Sequence, residues 1–226
     1  MLYIVATPIG NLEDITLRAL KVLREVDLIL AEDTRRTRLL LARYQIEKPL
    51  LSYHQHSRLQ KINYILSQLQ QGRKLALVCD AGTPGISDPA GKLVASVLAK
   101  LPEVKIVPVP GPSAITTLAS VAGVPMERFF FLGFLPKKKG RNRLVKLAVE
   151  IISRYRIPVM LFESPERTGK TLADFQKQNP SLLVVVGREL TKKFEEIWRG
   201  KIASAINHFE NRPPKGELVL IFHLAE

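Results

Sequence analysis

Short apolar runs alternate with longer segments of helical periodicity along this sequence, and the alternation limits the folds that the chain can adopt. In the first half, strand-like runs occupy residues 2–6, 27–33, 74–80, 103–112 and 128–136. Segments with a helical spacing of apolar residues occupy residues 12–26, 59–72, 92–100 and 113–123. Because strands that alternate with helices favour parallel pairing, we predict a mainly parallel sheet covered by helices on both faces.

The second half repeats this alternation after a basic run, PKKKGRNRLVK, at residues 136–146. Predicted helices cover residues 140–154, 165–178 and about 201–210, and predicted strands cover residues 158–164, 181–190 and 216–224. The basic run is the best candidate for a domain boundary. We therefore predict an α/β fold with two α/β domains, an N-terminal domain over residues 1–135 and a C-terminal domain over residues 136–226.

The composition excludes several classes of protein. No apolar run approaches the roughly 20 residues that cross a bilayer, and the N-terminus lacks the features of a signal peptide, so a cytoplasmic protein is expected. The single cysteine, Cys79, excludes a disulfide framework and a multi-cysteine metal site, and is expected to be a small buried apolar residue. His54 and His56 have no evident third ligand, so no metal site is predicted. We expect this pair near a substrate, as a base or as a contact.

The chain is strongly basic, with 34 lysines and arginines against 21 aspartates and glutamates and a net charge of +13. Such an excess favours polyanionic partners, because a cation that meets a phosphate releases condensed counterions. The alternative explanation is that the charge only keeps the protein soluble.

Three loops rich in glycine and proline follow predicted strands: TPIGN (7–11), DAGTPGISDPAG (80–91) and PGPSA (110–114). Ligands of open α/β sheets bind beyond the carboxyl ends of the strands. Glycine lets the main chain approach a ligand closely, and proline fixes the shape of a loop before binding. The sequence contains neither a P-loop motif nor the G-x-G-x-x-G of a dinucleotide site. The loops therefore predict a different small-molecule pocket, although each alone could be an ordinary turn.

Seven motifs occur in order along the chain: TPIGNLEDIT (7–16), AEDTRRT (31–37), DAGTPGISDPAG (80–91), PGPSA (110–114), GFLP (133–136), FESPER (162–167) and RELTKKFEE (188–196). Together they resemble the bacterial 16S ribosomal RNA cytidine 2′-O-methyltransferases, a branch of the tetrapyrrole methylase superfamily. The resemblance implies two α/β domains with S-adenosylmethionine in the cleft between them, a homodimer, and a cytidine of the small ribosomal subunit as the substrate.

The same resemblance implies which residues contact S-adenosylmethionine. They come from the three loops and from the second half of the chain: Pro8, Ile9, Gly82, Thr83, Ile86, Ser113, Ala114, Phe162 and Gly187. Asp80 and Asp88 are left open, because either could only cap a turn or a helix. Many family members continue past the last strand with a small helical extension, whereas this sequence stops at Glu226. Affinity for RNA would then rest on the basic surface of the core.

Methyl transfer to a ribose requires alignment of the 2′-oxygen and removal of its proton, for which a carboxylate is a suitable general base. The candidates near strand ends are Glu32, Asp33, Glu163 and Glu189, with Asp33 and Glu163 ranked first. For each of them, a salt bridge to an adjacent arginine is the simpler explanation.

Two basic clusters are predicted to hold RNA phosphates. They contain Arg35, Arg36 and Arg38, followed by Lys137, Lys138, Lys139, Arg141 and Arg143. A solvated helix face would explain either cluster alone. Two other functions remain open for the chain. One is methylation of a tetrapyrrole or a protein on the same fold, against which the charge and the GTPGIS loop argue. The other is a non-catalytic RNA-binding module in ribosome assembly.

Overall fold

The computed structural model describes residues 1–54, 57 and 59–225, so His56 lies outside the described residues. The chain divides into two compact units, Met1–Ser113 and Ala114–Glu226, and each unit contains a five-stranded sheet. An α/β fold with two sheets confirms the predicted fold class. No helix in the described part of the chain has the length and apolar character needed to span a membrane.

The first unit alternates strands and helices as the sequence predicted, with a further helix over Thr34–Arg43 that was not predicted. Its elements are β1 (Leu2–Val5), α1 (Leu17–Glu25), β2 (Leu28–Ala31), α2 (Thr34–Arg43), β3 (Leu50–Ser52), α3 (Leu59–Gln70), β4 (Leu75–Val78), α4 (Ala90–Lys100) and β5 (Ile106–Val109). The strand order is β3-β2-β4-β1-β5, and all four pairings are parallel. The predicted parallel sheet is therefore confirmed.

Alternate residues of these strands pack into two separate cores, one on each face of the sheet. Val5, Ile29 and Val78 pack with side chains of α1 and α2. Leu30 and Leu77 pack with side chains of α3 and α4. Since helices cover both faces, the strands are apolar throughout. Cys79 is 7% exposed, as expected for a small core residue.

The predicted helix over residues 12–26 is interrupted. A 3₁₀ turn spans Leu12–Asp14, and α1 begins only after Thr16, whose Oγ1 accepts a hydrogen bond from the amide of Ala19 at 3.0 Å. This N-cap satisfies an amide that the first turn of the helix leaves unpaired. Strand β3 was not predicted, because its three residues give no periodicity to detect.

The second unit contains α5 (Ala114–Val121), β6 (Phe130–Phe134), α6 (Arg141–Tyr155), β7 (Val159–Glu163), α7 (Pro165–Gln178), β8 (Leu183–Arg188), β9 (Glu196–Lys201), α8 (Ile202–Asn211) and β10 (Leu218–His223). The strand order is β6-β7-β10-β8-β9. Only β6 and β7 pair in parallel, and the other three pairings are antiparallel. The strand predicted at residues 128–136 was assigned to the first half, which is wrong: it forms β6 and pairs with β7 of the second sheet.

Helices α6, α7 and α8 cover one face of the second sheet and form a single apolar core with it. Within this core the rings of Phe175 and Phe222 stack at 3.9 Å between centroids. On β8, a Cβ atom at Gly187 would lie 2.8 Å from a methyl group of Leu118 on α5, so any larger residue would displace this leucine side chain. The basic run at residues 136–146 connects β6 to α6 within this unit, whereas the division between the units follows Ser113.

Candidate functional site

The three loops rich in glycine and proline meet at one edge of the first sheet, because they follow the adjacent parallel strands β4, β1 and β5. Thr7 and Gly82 form an antiparallel bridge in which each amide donates to the other residue's carbonyl, at 2.9 and 3.0 Å. The Thr83 hydroxyl donates to the Pro112 carbonyl at 3.2 Å. The structure thus joins all three loops into one surface.

The second loop needs left-handed backbone at several positions. Gly82, Gly85 and Ser87 have φ values of 80°, 97° and 64°. Asp88 stabilises this path, since its carboxylate accepts from the amides of Gly85 at 2.7 Å and Ala90 at 2.8 Å. Asp88 therefore ties the loop to the first residue of α4, as one of the two predicted alternatives has it.

The predicted cofactor residues of the first unit differ in exposure. Pro8 and Ile9 are buried, and Ile9 lies under Gly82, where an added Cβ would be 3.4 Å from its Cγ2 atom. Thr83 is half-buried, and Ile86 is 42% exposed. The second loop therefore carries an exposed aliphatic side chain as well as a half-buried hydroxyl.

The remaining predicted cofactor residues lie at or beyond the division between the units. Ser113 ends the first unit, and Ala114 begins α5. Phe162 lies on β7, where its ring contacts Phe131 at 4.9 Å and Phe134 at 5.5 Å between centroids. Gly187 is buried on β8.

Four carboxylates gather beside the second loop, at the carboxyl ends of β2 and β4. Asp80 accepts from the amide of Asp33 at 2.9 Å, and its other oxygen lies 3.6 Å from Arg36. Burial raises the pKa of Glu32, and the nearby charges of Asp80 and Asp88 raise it further, against an opposing effect of Arg36. Glu32 is therefore more readily protonated than an ordinary glutamate.

Asp33 has a different environment from its neighbour. Its carboxylate accepts from the backbone and side chain of Arg35, at 2.7–3.0 Å, and caps the N-terminus of α2. These hydrogen bonds lower the pKa of Asp33 to about 2. A carboxylate with so low a pKa is a weak acceptor of protons.

Glu163, the other carboxylate ranked first, ends β7 inside a buried polar network. Its side chain is 0% exposed, and Oε1 lies 3.1 Å from Arg167 and 2.9 Å from the donating amide of Ser164. Its Oε2 accepts from the hydroxyl of Thr171. These contacts give Glu163 the surroundings of a structural ion pair.

The structure corrects the predicted position of Arg141, which was expected on an RNA-binding surface. Arg141 is 3% exposed, and it contacts Asp174 at 2.8 Å and Thr171 at 2.7 Å. Its side chain therefore holds the start of α6 against α7 and is withdrawn from solvent. The other predicted phosphate contacts are exposed: Arg35, Arg36, Arg38, Lys137, Lys138, Lys139 and Arg143.

Glu189 and His208 each have an identified partner. Glu189 accepts a hydrogen bond from the Lys192 ammonium at 2.9 Å. Burial alone would raise the pKa of Glu189, but the hydrogen bonds from Lys192 and from the Glu217 amide outweigh burial, so its pKa is lowered. The Nε2 of His208 on α8 lies 2.7 Å from the carboxylate of Glu196 on β9. Sequence reasoning missed this pair because β9 was not predicted.

The fold is that of solved methyltransferase structures. The methyltransferase CobJ superposes with a TM-score of 0.72 at 18% identity, covering 99% of this chain and 94% of that one. Diphthine synthase superposes with a TM-score of 0.72 at 13% identity, covering 98% and 89%. At these identities the likeness establishes the architecture alone.

The family follows from sequence comparison. The family model of Tetrapyrrole (Corrin/Porphyrin) Methylases matches residues 1–206, and the chain belongs to this family. A Thermotoga maritima protein named Ribosomal RNA small subunit methyltransferase I is 50% identical, over 97% of this chain and 96% of its own length. Proteins of the same name from Synechocystis and Escherichia coli O157:H7 are 44% and 46% identical, over 98% and 97% of this chain and 78% and 76% of their own lengths. These comparisons confirm the resemblance found in the sequence.

Proposed function

We propose that the protein is an S-adenosylmethionine-dependent methyltransferase that modifies the ribose 2′-oxygen of a cytidine in 16S ribosomal RNA. The observation that carries the proposal is the 50% identity, across 97% of this chain, with a protein named as a small-subunit ribosomal RNA methyltransferase. The net charge of +13 supports a polyanionic substrate. We further propose a homodimer, as the sequence resemblance implies, and a cytoplasmic location, as the sequence analysis predicted.

The proposed cofactor residues are those predicted from the resemblance. Those of the first unit lie on the three joined loops. The bridge between Thr7 and Gly82 and the bond from Thr83 to Pro112 fix the loops before any ligand binds. Such preorganisation lowers the entropic cost of binding. When bound, S-adenosylmethionine supplies an electrophilic methyl group on a sulfonium.

Glu32 is the strongest candidate for the group that removes the 2′-hydroxyl proton. A general base works best when its pKa lies close to the working pH. Burial raises the pKa of Glu32 and so brings it closer to neutral pH. Asp33 and Glu163 remain predicted candidates, but their hydrogen bonds to Arg35 and Thr171 support capping and structural roles. Loss of activity in Glu32→Gln, with activity retained in Asp33→Asn and in Glu163→Gln, which keep the size of each side chain and its hydrogen-bond acceptor oxygen, would support this choice.

The experiment that tests the proposed function is transfer of tritiated methyl groups from S-adenosylmethionine to three kinds of acceptor. These are small ribosomal subunits, free 16S ribosomal RNA, and tetrapyrrole or protein acceptors. Label in RNA at a single cytidine ribose, absent from a Glu32→Gln variant, is expected. Label only in a tetrapyrrole or a protein would overturn the substrate, and RNA binding without any transfer would indicate a non-catalytic module.

A further inference from the structure

The loop between β8 and β9, residues 189–195, presents an aromatic ring to solvent. Phe194 is 67% exposed, and the Lys193 ammonium lies 5.6 Å from its ring centroid. Burial of a phenylalanine side chain contributes strongly to binding or stability, so the exposed ring is available for contact with a partner.

The loop is held in a strained conformation by specific contacts. Glu189 and Thr191 have φ values of 50° and 64°, which side chains other than glycine rarely adopt. The Glu189 carboxylate accepts from Lys192 at 2.9 Å and from the Glu217 amide at 3.0 Å, and the amide of Thr191 donates to Glu195 at 2.6 Å. Backbone strain that persists in this way is concentrated at functional sites.

Phe194 borders a cavity of about 650 Å³, within the range of about 300–1,000 Å³ that small-molecule sites occupy. Its other lining residues include Pro213 and Pro214, which add apolar surface, and the cations Lys193, Arg212 and Lys215. In the described part of the chain, these three cations form no ion pair. By contrast, Arg188 on the cavity wall pairs with Glu196, and the wall residue Glu189 pairs with Lys192.

We propose that Phe194 is a stacking platform for one unpaired base of the RNA substrate, with Lys193, Arg212 and Lys215 facing the adjacent phosphates. The face of an aromatic ring stacks on any nucleobase, and cations beside it contact the backbone. This combination of groups recognises single-stranded RNA better than it recognises an apolar peptide. The inference rests on the proposed function, because it requires an RNA substrate.

The test compares Phe194→Ala, Phe194→Leu and Phe194→Trp in binding to a short cytidine-rich single-stranded RNA that carries 2-aminopurine. Loss of one stacked base weakens affinity by roughly 5- to 100-fold. We expect a loss in this range for alanine and leucine, with relief of 2-aminopurine quenching, and recovery of both with tryptophan. The salt dependence of binding should not change, because no phosphate contact is removed.

The matched control is Tyr155→Ala, which removes another exposed ring, 57% exposed and with Arg154 5.4 Å from its centroid, outside this cavity. This variant should bind RNA like the wild type, and all variants should keep their affinity for S-adenosylmethionine. If Phe194→Ala binds RNA as tightly as the wild type, and the wild type methylates RNA, the stacking role of Phe194 is wrong while the proposed function stands. Wild-type protein that neither binds nor methylates RNA would overturn the proposed function together with it.

Discussion

The guanidinium of Arg141 lies 4.0 Å from the carboxylate of Glu163, and the two side chains are 4% and 0% exposed. Arg141 is the first residue of α6, and Glu163 is the last residue of β7. Thr171 and Asp174 of α7 complete the network, each bonding to Arg141. Charges can be buried in this way only when paired and hydrogen-bonded, so the network fixes α6 and α7 against the sheet.

Replacing Arg141 with alanine is expected to destabilise the second unit. The change leaves Asp174 and Glu163 short of a partner, and breaking a buried ion pair costs about 3–5 kcal/mol. The loss of unfolding free energy should lie at the lower end of this range, because Arg167 still pairs with Glu163 at 3.1 Å. Urea denaturation measures the free energy of unfolding.

The control for this prediction is Arg143→Ala, two residues along the same helix. Arg143 is exposed, so its removal should change stability by no more than about 0.5 kcal/mol. Equal effects of the two substitutions would show that the buried network contributes nothing to stability.

Gly82→Ala is expected to weaken binding of S-adenosylmethionine as well as stability. Gly82 has a φ of 80°, and an added Cβ would contact the Ile9 side chain at 3.4 Å. Gly82 also forms the bridge to Thr7 that joins two of the loops. Gly72 has the same φ, and no atom lies within 4 Å of an added Cβ, so Gly72→Ala measures the cost of the left-handed backbone conformation alone. Both variants should lose about 1–2 kcal/mol of stability. Calorimetry should show weaker cofactor binding for Gly82→Ala alone, and equal affinities in the two variants would contradict this.

The parts of the structure that the sequence predicted are those set by local chemistry. Helix α7 was predicted with the observed limits, residues 165–178, because Pro165 begins the helix and the apolar spacing continues through its length. The three loops were found for the same reason. Glycine, proline and aspartate in DAGTPGISDPAG specify turns wherever the chain places them.

The features that were missed depend on contacts between distant residues. Arg141 belongs to a basic run in which its neighbours are exposed, and only Asp174 and Thr171 on α7 account for its burial. Strand β6 follows the first half in sequence but pairs with β7, because register and partner are decided by the assembled sheet. Strand β9 contains Glu196, Arg199 and Lys201. Charged side chains are common on edge strands, but they interrupt the apolar pattern by which a strand is predicted.

Glu32→Gln is expected to make the protein more stable at neutral pH and much less active. The pKa of Glu32 is raised in the folded state, so folded protein keeps this proton at pH values where the unfolded chain has lost it. Wild-type stability therefore falls as the pH rises from the ordinary pKa of glutamate through the raised value, and glutamine removes this penalty.

The two measurements for Glu32→Gln are denaturation and methyl transfer across this pH window. The stability difference from wild type should grow with pH and then level off, and methyl transfer should fall by about 10²–10⁴-fold. Glu103→Gln makes the same charge change at an exposed glutamate before β5, away from the loops, and should leave methyl transfer unchanged. A Glu32→Gln variant with wild-type activity would eliminate this residue as the base.

Reversing the charge of Lys137, Lys138 and Lys139 is expected to weaken RNA binding while leaving cofactor affinity intact. All three side chains are exposed on the connection between β6 and α6. Removing one lysine–phosphate interaction should reduce the slope of log affinity against log salt by about 0.7 for single-stranded RNA, an effect that Phe194→Ala should not show. Reversal of the exposed lysines Lys74, Lys100 and Lys105 changes net charge equally, at the opposite edge of the first sheet from the loops. If both triple variants lose RNA affinity to the same extent, net charge rather than a defined surface binds the RNA.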